Sequence, residues 1–164
     1  MFSPVIEKQK LKCIGNGRYT SAYDAGNHIL LGTLRCDYTK ELYCQLSGSS
    51  IHLPVIEFLT FDPETKLNWY VTDRSYAVSR SGEQYQLMSR IQSVMGMCYT
   101  PGDAINRIDQ APFPMSIKVA LHSLVESHMA IVSDDICFDT QLGSNFAIDS
   151  SGNLILRDIL SPVL

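Results

Sequence analysis

Residues 138–158 read FDTQLGSN, FAI, DSSGN and LILRD in turn, and this stretch decides the fold. It predicts a polar loop followed by two apolar strands that a serine- and glycine-rich turn connects. Asn145 lies at the start of the first strand, and Asp158 lies at the end of the second, 13 residues later. A hairpin brings these two positions side by side, so an amide oxygen and a carboxylate oxygen converge. Mg²⁺ takes such oxygen ligands beside nucleotide phosphates.

A second informative stretch reads IGNGRYTSAY at residues 14–23. Gly15 and Gly17 lie between two predicted strands rather than between a strand and a helix, which argues against a dinucleotide-binding fingerprint. One interpretation is purely structural, because glycines in hairpins commonly provide a positive φ. The other is a glycine hairpin whose backbone N–H groups approach phosphates closely. The order of the two stretches along the chain favours the second interpretation.

The composition is that of a globular protein. The chain has 164 residues, 45% of them hydrophobic and 18% charged, which suffices for one domain or a small two-lobed one. The net charge is −4 and no Lys/Arg cluster occurs, so we expect no nucleic-acid partner. No apolar run has the length of a membrane span, and the first residues lack a signal-peptide layout. We therefore expect a cytoplasmic protein without a membrane partner.

The five cysteines are widely spaced and form no Cys-x-x-Cys pair. This spacing predicts reduced thiols in the core and no structural metal.

The alternation of polar and apolar residues predicts five antiparallel strands at about 11–15, 19–25, 28–35, 55–61 and 67–72. A helix over 38–46, capped by Asp37, interrupts them. Later residues have helical spacing over 83–97 and 116–133, with a polar, proline-rich link at 109–114. The sequence therefore predicts an α+β fold. Residues 1–75 form a sheet with one helix, and residues 76–164 form a mainly helical part with the hairpin.

This order of elements resembles the protein kinase fold. Among protein kinases, the chain most resembles the compact serine/threonine protein kinases of podovirus-type bacteriophages. The residues that carry the resemblance are those at 14–23, those at 138–145, and the apolar strand that ends at Asp158, followed by Ser161-Pro162.

The resemblance implies ATP and Mg²⁺ as cofactors and assigns roles to individual residues. Asn145 and Asp158 correspond to the Mg²⁺ ligands, and Asp139 corresponds to the catalytic aspartate that orients the substrate hydroxyl. The implied nucleotide-binding residues of the glycine hairpin are Gly15, Asn16, Gly17 and Ser21.

The sequence also departs from the family pattern. The family has a lysine on the third strand, where the best alignment places Leu31 and a shifted register offers Arg35. Glu41 corresponds to the glutamate that pairs with this lysine. Asp139 precedes Asn145 by six residues where the family has five, and only six residues follow Asp158 in this sequence, where kinases continue into a helical platform.

We therefore expect a degenerate, pseudokinase-like protein that binds a host protein and modulates or inhibits it in the host cytosol. One alternative is an active minimal ATP- and Mg²⁺-dependent serine/threonine kinase, in which Arg35 or Lys118 supplies the missing positive charge. A second alternative is an interaction module that binds no nucleotide, in which the glycine hairpin and the Asp/Asn pair are coincidental. The sequence contains no motif that identifies the target or the oligomeric state.

Overall fold

The computed structural model describes residues 11–96, 98–132 and 135–161. Five strands form an antiparallel sheet with the spatial order β1-β2-β3-β5-β4. Their bounds are β1 Lys12–Asn16, β2 Thr20–Ala25, β3 His28–Leu34, β4 Ile56–Asp62 and β5 Leu67–Asp73. The predicted α+β class and the five-stranded antiparallel sheet are thus confirmed.

The register of the sheet places Leu31 at its centre. Leu31 is paired with Ala22 on β2 and with Tyr70 on β5. Side chains alternate between the two faces of a strand, so Ser21 and Ala22 point to opposite sides of the sheet. Because of this alternation, only one of these two residues can face a site on a given side of the sheet.

Helix α1 (Thr39–Gln45) connects β3 to β4. Asp37 precedes it, and the Oδ1 atom of Asp37 accepts a hydrogen bond from the backbone N–H of Thr39 at 3.1 Å. The N-cap of the helix is Tyr38, whose side chain makes no capping hydrogen bond, so Asp37 satisfies a donor of the first turn from one residue before the N-cap. Leu42 and Tyr43 are buried, whereas Glu41 is exposed.

Three helices follow the sheet: α2 Glu83–Met95, α3 Pro101–Gln110 and α4 Met115–Ile131. The predicted helices over 83–97 and 116–133 correspond to α2 and α4, although Met97 and Ser133 lie outside the described residues. Helix α3 has no counterpart among the elements predicted from the sequence, and its last residues, 109–110, fall in the predicted proline-rich link. The side chain of Thr100 accepts a hydrogen bond from the backbone N–H of Asp103 and Pro101 occupies the first turn, which together start a helix.

The predicted hairpin is present as β6 (Phe146–Ile148) and β7 (Leu154–Leu156), preceded by one 3₁₀ turn at Gly143–Asn145. Backbone contacts attach it to two other segments of the molecule. Ile148 forms an isolated antiparallel bridge with Tyr76, and the backbone N–H of Leu156 donates to the carbonyl of His52 at 2.8 Å. The hairpin therefore lies beside the segment between α1 and β4.

One continuous core connects the sheet, α1, the later helices and the hairpin. Its members include Tyr43 from α1, Tyr70 from β5, Leu121 from α4 and Leu156 from β7. The core spans both predicted parts of the chain, 1–75 and 76–164, whose division remains a prediction. Residues 1–10 and 162–164 of those parts, including Pro162, lie outside the described residues.

The cysteines are less buried than the sequence predicted. Cys98 is buried and Cys44 is half-buried, but Cys13, Cys36 and Cys137 are exposed. The prediction of core thiols was therefore wrong for these three residues, which lie on β1 or in connecting segments rather than in helices that face the core.

Candidate functional site

A cleft of about 560 Å³ lies between the glycine hairpin, α1 and the β6–β7 hairpin. Its wall contains six of the residues that the sequence singled out: Gly15, Asn16, Gly17, Asp139, Asn145 and Asp158. A second cavity, of about 700 Å³, lies between the end of β5 and the turn at 149–153. None of the predicted site residues is among the described residues of its wall. The first cleft is therefore the candidate site.

Backbone contacts hold Asp139, Asn145 and Asp158 together. The backbone N–H of Asp139 donates to the carbonyl of Ile159 at 2.8 Å, which fixes the 139–145 loop beside the end of β7. The carbonyl of Asn145 accepts from the backbone N–H of Asp158 at 3.2 Å. The backbones of Asn145 and Asp158 are therefore adjacent, as the predicted hairpin requires, and both residues line the same cleft.

The side chain of Asn145 is fixed in orientation. It is 8% exposed, and its Nδ2 atom donates to the carbonyl of Asp139 at 2.6 Å. This bond leaves Oδ1 as the amide atom with free acceptor capacity. The Asp158 side chain is 41% exposed, so its carboxylate is accessible from the cleft.

These two residues fit a magnesium ion that is also held by phosphates. Mg²⁺ commonly binds through one or two protein oxygens and completes its octahedron with water and substrate phosphate. Among the described residues, no group of three or more His, Cys, Asp or Glu side chains could hold a metal alone. An amide oxygen and one carboxylate are therefore donors that Mg²⁺ can use together with water and substrate oxygens.

The glycine hairpin contributes Gly15 and Gly17 to the cleft wall. Neither residue is among the glycines with positive φ, which are Gly26, Gly48, Gly82 and Gly152. A Cβ added to Gly15 would lie 4.0 Å from the nearest heavy atom, and one added to Gly17 would lie 3.4 Å from it. Neither the backbone conformation nor the packing requires glycine here. Glycine does leave the hairpin backbone open to close approach from the cleft.

Three residues of the predicted nucleotide site lie elsewhere. Among the described residues that line the cleft, Ser21, Arg35 and Glu41 are not represented. Ser21 is on the opposite face of β2 from Ala22, which does line the cleft. Arg35 is exposed beyond the end of β3, with its guanidinium 5.1 Å from the Phe61 ring centroid. Glu41 is on the exposed face of α1.

Lys118, the other predicted source of positive charge, is also remote from the cleft. Its Nζ atom donates to the carbonyl of Asp109 at 2.6 Å, which ties the start of α4 to the end of α3. Leu31, on β3, does line the cleft. The strand therefore contributes an apolar side chain at that point.

Lys40 is the cleft residue that sequence reasoning missed. It is on α1, is only 4% exposed and lines the cleft. Its Nζ atom donates to Oδ1 of Asp158 at 2.5 Å and lies 4.0 Å from Oδ2 of Asp37. Asp37 is itself 5% exposed. A buried ammonium group is stable because it has these carboxylate partners.

One signal for Lys40 was present in the sequence. Lys40 and Tyr43 are three residues apart and share a face of α1, as helical geometry requires. Tyr43 belongs to the apolar face of the predicted helix, so Lys40 borders the buried side, while Glu41 points away from it. The contact with Asp158, 118 residues later, is tertiary and no local pattern reveals it.

Burial also determines the ionisation state of Tyr43, which interacts with the Asp158 carboxylate of the Lys40–Asp158 pair. Burial, together with the charge of Asp158, raises the pKa of the Tyr43 hydroxyl well above its usual range, so this group stays protonated. Its oxygen accepts a hydrogen bond from the backbone N–H of Ile159 at 3.2 Å. Tyr43 therefore connects α1 to the residue that follows Asp158.

Comparison with protein-family models, curated proteins and solved structures yields no match. Within the described part of the chain, no helix is long and apolar enough to cross a membrane.

Proposed function

We propose that this protein binds a magnesium–nucleotide complex, with ATP as the nucleotide, in a cleft of the protein kinase type. The observation that carries the proposal is the convergence of Asp139, Asn145 and Asp158 with the glycine hairpin on one cleft. The strand order and the position of α1 between β3 and β4 also agree with the element order on which the kinase resemblance rests.

The proposal gives each of these residues a role. Asn145 Oδ1 and the Asp158 carboxylate hold the metal, and the backbone of Gly15 and Gly17 lies against the phosphates. When bound, magnesium neutralises phosphate charge and orients the polyphosphate chain. We assign to Asp139, which is half-exposed on the cleft wall, the role of receiving an acceptor hydroxyl.

The biological role that we propose is that of a kinase-like protein which binds and modulates a host protein. Leu31 supports this reading, since the cleft wall formed by β3 offers an apolar side chain where the family has its lysine. The host target and the location in the host cytosol remain predictions from the sequence.

A second candidate function is phosphoryl transfer to serine or threonine. The hydrogen bonds that fix the 139–145 loop favour it, because positioning is most of what this reaction demands of a protein. The buried Lys40 also provides a positive charge in the cleft that β3 lacks.

Nucleotide binding is tested by thermal unfolding with Mg²⁺ and ATP. At a ligand concentration about 100-fold above Kd, we expect the melting temperature to rise by roughly 5 to 10 °C. Asp158→Asn should remove most of this rise because the metal loses a charged ligand. The control is Asp73→Asn, which changes an exposed aspartate outside the cleft and should keep the full rise. No rise in the unmodified protein would refute the proposal.

Phosphoryl transfer is tested separately with ATP labelled on its γ-phosphate. Incorporation of label that is lost in Asp139→Asn, while the thermal shift is retained, would establish the enzyme. Binding without incorporation would leave the regulatory role as the function of the cleft.

A further inference from the structure

We infer that Lys40, on helix α1, is the residue that binds the nucleotide phosphates, and that Asp37 positions it. This inference rests on the proposed nucleotide-binding function and goes beyond it, because it transfers the phosphate-binding charge from the sheet to a helix. It also replaces both sources of charge that the sequence offered, Arg35 and Lys118.

The first argument is that the location of Lys40 suits a bound phosphate. Its ammonium group lies 2.5 Å from the carboxylate that we assign to the metal, and the residue lines the same cleft as the glycine hairpin. A phosphate held between a metal ion on Asp158 and the hairpin backbone would therefore lie next to Nζ. Among the described residues of the cleft wall, the other cations are Arg18, which is exposed, and Arg157, whose guanidinium donates to the carbonyl of Ser144.

The second argument is the presence of two carboxylates for one ammonium group. Asp37 and Asp158 both lie near Nζ, at 4.0 and 2.5 Å. If Asp158 binds the metal ion, Lys40 keeps Asp37 as its buried counter-ion and gains the phosphate in place of Asp158. The exchange leaves no buried charge without a partner, which is what a low-dielectric site requires.

The third argument is that Asp37 is held rigidly. Its Oδ1 accepts hydrogen bonds from both the backbone N–H and the hydroxyl of Thr39, and its Oδ2 accepts from the Thr20 hydroxyl at 3.4 Å. The side chain is therefore fixed by α1 on one side and by β2 on the other. Asp37 is accordingly a positioning residue, acting on the phosphate only through Lys40.

The arrangement has a competing explanation, in which the Lys40–Asp158 ion pair only stabilises the fold. The two explanations predict different effects of Lys40 on the affinities for ATP, ADP and adenosine. A phosphate-binding lysine contributes to the affinity for ATP and ADP but not for adenosine. A purely structural lysine changes the affinities for all three ligands together, or changes only the thermal stability.

The experiment measures the affinities for ATP and ADP, each with Mg²⁺, and for adenosine by calorimetric titration. Lys40→Met keeps the length and apolar stem of the side chain and removes its charge. We expect it to weaken ATP and ADP binding about 10- to 100-fold and to leave adenosine binding within about twofold. The control Lys118→Met removes a lysine outside the cleft and should change none of the three affinities.

Asp37→Asn tests the positioning role, since asparagine keeps an acceptor for Thr39 and removes the charge. It should weaken ATP binding in the unmodified background but add little further loss in the Lys40→Met background. Additive losses would show that Asp37 acts independently of Lys40 and would overturn that part of the inference.

Equal affinity of Lys40→Met and the unmodified protein for ATP would overturn the inference about Lys40. An equal loss for adenosine and ATP would overturn it as well, in favour of a structural ion pair. Both results leave the proposed function intact, because the unmodified protein still binds ATP. If the unmodified protein binds none of the ligands, the proposed function fails and the inference fails with it.

Discussion

At the scale of single residues, the fold does not require glycine at positions 15 and 17, so substitutions there can test the proposed ATP binding separately from stability. Neither has a positive φ, and a Cβ would have ordinary room at both positions. We expect Gly15→Ala and Gly17→Ala to change the free energy of unfolding by less than about 0.5 kcal/mol. The same substitutions should weaken ATP binding, because the added methyl group blocks the approach of phosphate to the backbone. Equilibrium unfolding in urea and calorimetric titration measure the two effects.

The matched control for these variants is Gly26→Ala. Gly26 has a φ of 77° in the turn between β2 and β3 and lies outside the cleft. Alanine there should destabilise the fold by about 1 kcal/mol and leave ATP affinity unchanged. If Gly15→Ala and Gly17→Ala behaved like Gly26→Ala, these glycines would have a structural role only.

The sequence predicted some site residues and missed others for a physical reason. Asn145 and Asp158 could be predicted because a hairpin with a short turn fixes which positions are neighbours. For Lys40, only its position beside the buried face of α1 could be predicted, since its partner Asp158 comes from an element far along the chain. Glu41 was selected in its place by residue type, although the face of α1 that it occupies is exposed.

At the scale of elements, the turn of the β6–β7 hairpin depends on Asp149. Its carboxylate accepts hydrogen bonds from the backbone N–H groups of Ser151 and Asn153 at 2.9 and 2.8 Å. Burial alone raises the pKa of Asp149, but the hydrogen bonds from Asn153, Ser151 and Gly152 outweigh it and lower the pKa below its ordinary value of 3.8. The ionised form therefore stabilises the folded turn.

We expect Asp149→Ala to lower the free energy of unfolding by about 1 kcal/mol at pH 7. Because the pKa is lower in the folded state, the stabilisation is complete above pH 3.8 and is lost as the pH falls through the folded-state value. The difference between the variant and the unmodified protein should thus shrink at pH 3. Urea unfolding at the two pH values measures it, and a difference that grew in acid would contradict this role of Asp149.

The secondary structure was largely predictable because each strand and most helices have a regular apolar period. Helix α3 was the exception, since its proline and glycine are typical of a turn. Its start depends on the Thr100 cap, and Ala104 and Ile108 hold it against the core. A cap followed by apolar residues four apart was therefore a usable signal, which the Pro-Gly pair obscured.

At the scale of the whole molecule, His52 connects three parts of the structure. Its ring bonds the carbonyl of Leu154 on β7 at 2.7 Å and the hydroxyl of Ser116 on α4 at 2.9 Å. Its own carbonyl accepts from Leu156, and the side chain is buried. Together with the continuous core, these bonds indicate that the sheet, the helices and the hairpin unfold as one unit.

Two spectroscopic probes test this cooperativity. Trp69, the single tryptophan, is buried in the sheet, whereas circular dichroism at 222 nm, the usual helix signal, reports mainly on the helices. We expect the two urea transitions to coincide. His52→Ala should shift both transitions to lower urea by the equivalent of about 2 to 3 kcal/mol, because buried polar groups lose their partners.

The exposed His28, which pairs with Asp73, provides the control. His28→Ala should shift neither transition by more than about 0.5 kcal/mol. Loss of the tryptophan signal before the helical signal would contradict a single cooperative unit and would support two separately folding lobes.

The ion pair between Lys40 and Asp158 also affects the rates of ligand association. Two opposite charges at 2.5 Å largely cancel each other at long range, and the protein as a whole carries a net charge of −4. Neither this ion pair nor the net charge therefore accelerates the approach of a polyphosphate to the cleft. Under the proposed function, phosphate reaches Lys40 only once the pair separates, so we expect nucleotide capture to be slow and to depend little on salt. We then expect tight binding to come from a long residence time, and we expect magnesium to hasten capture by freeing the lysine.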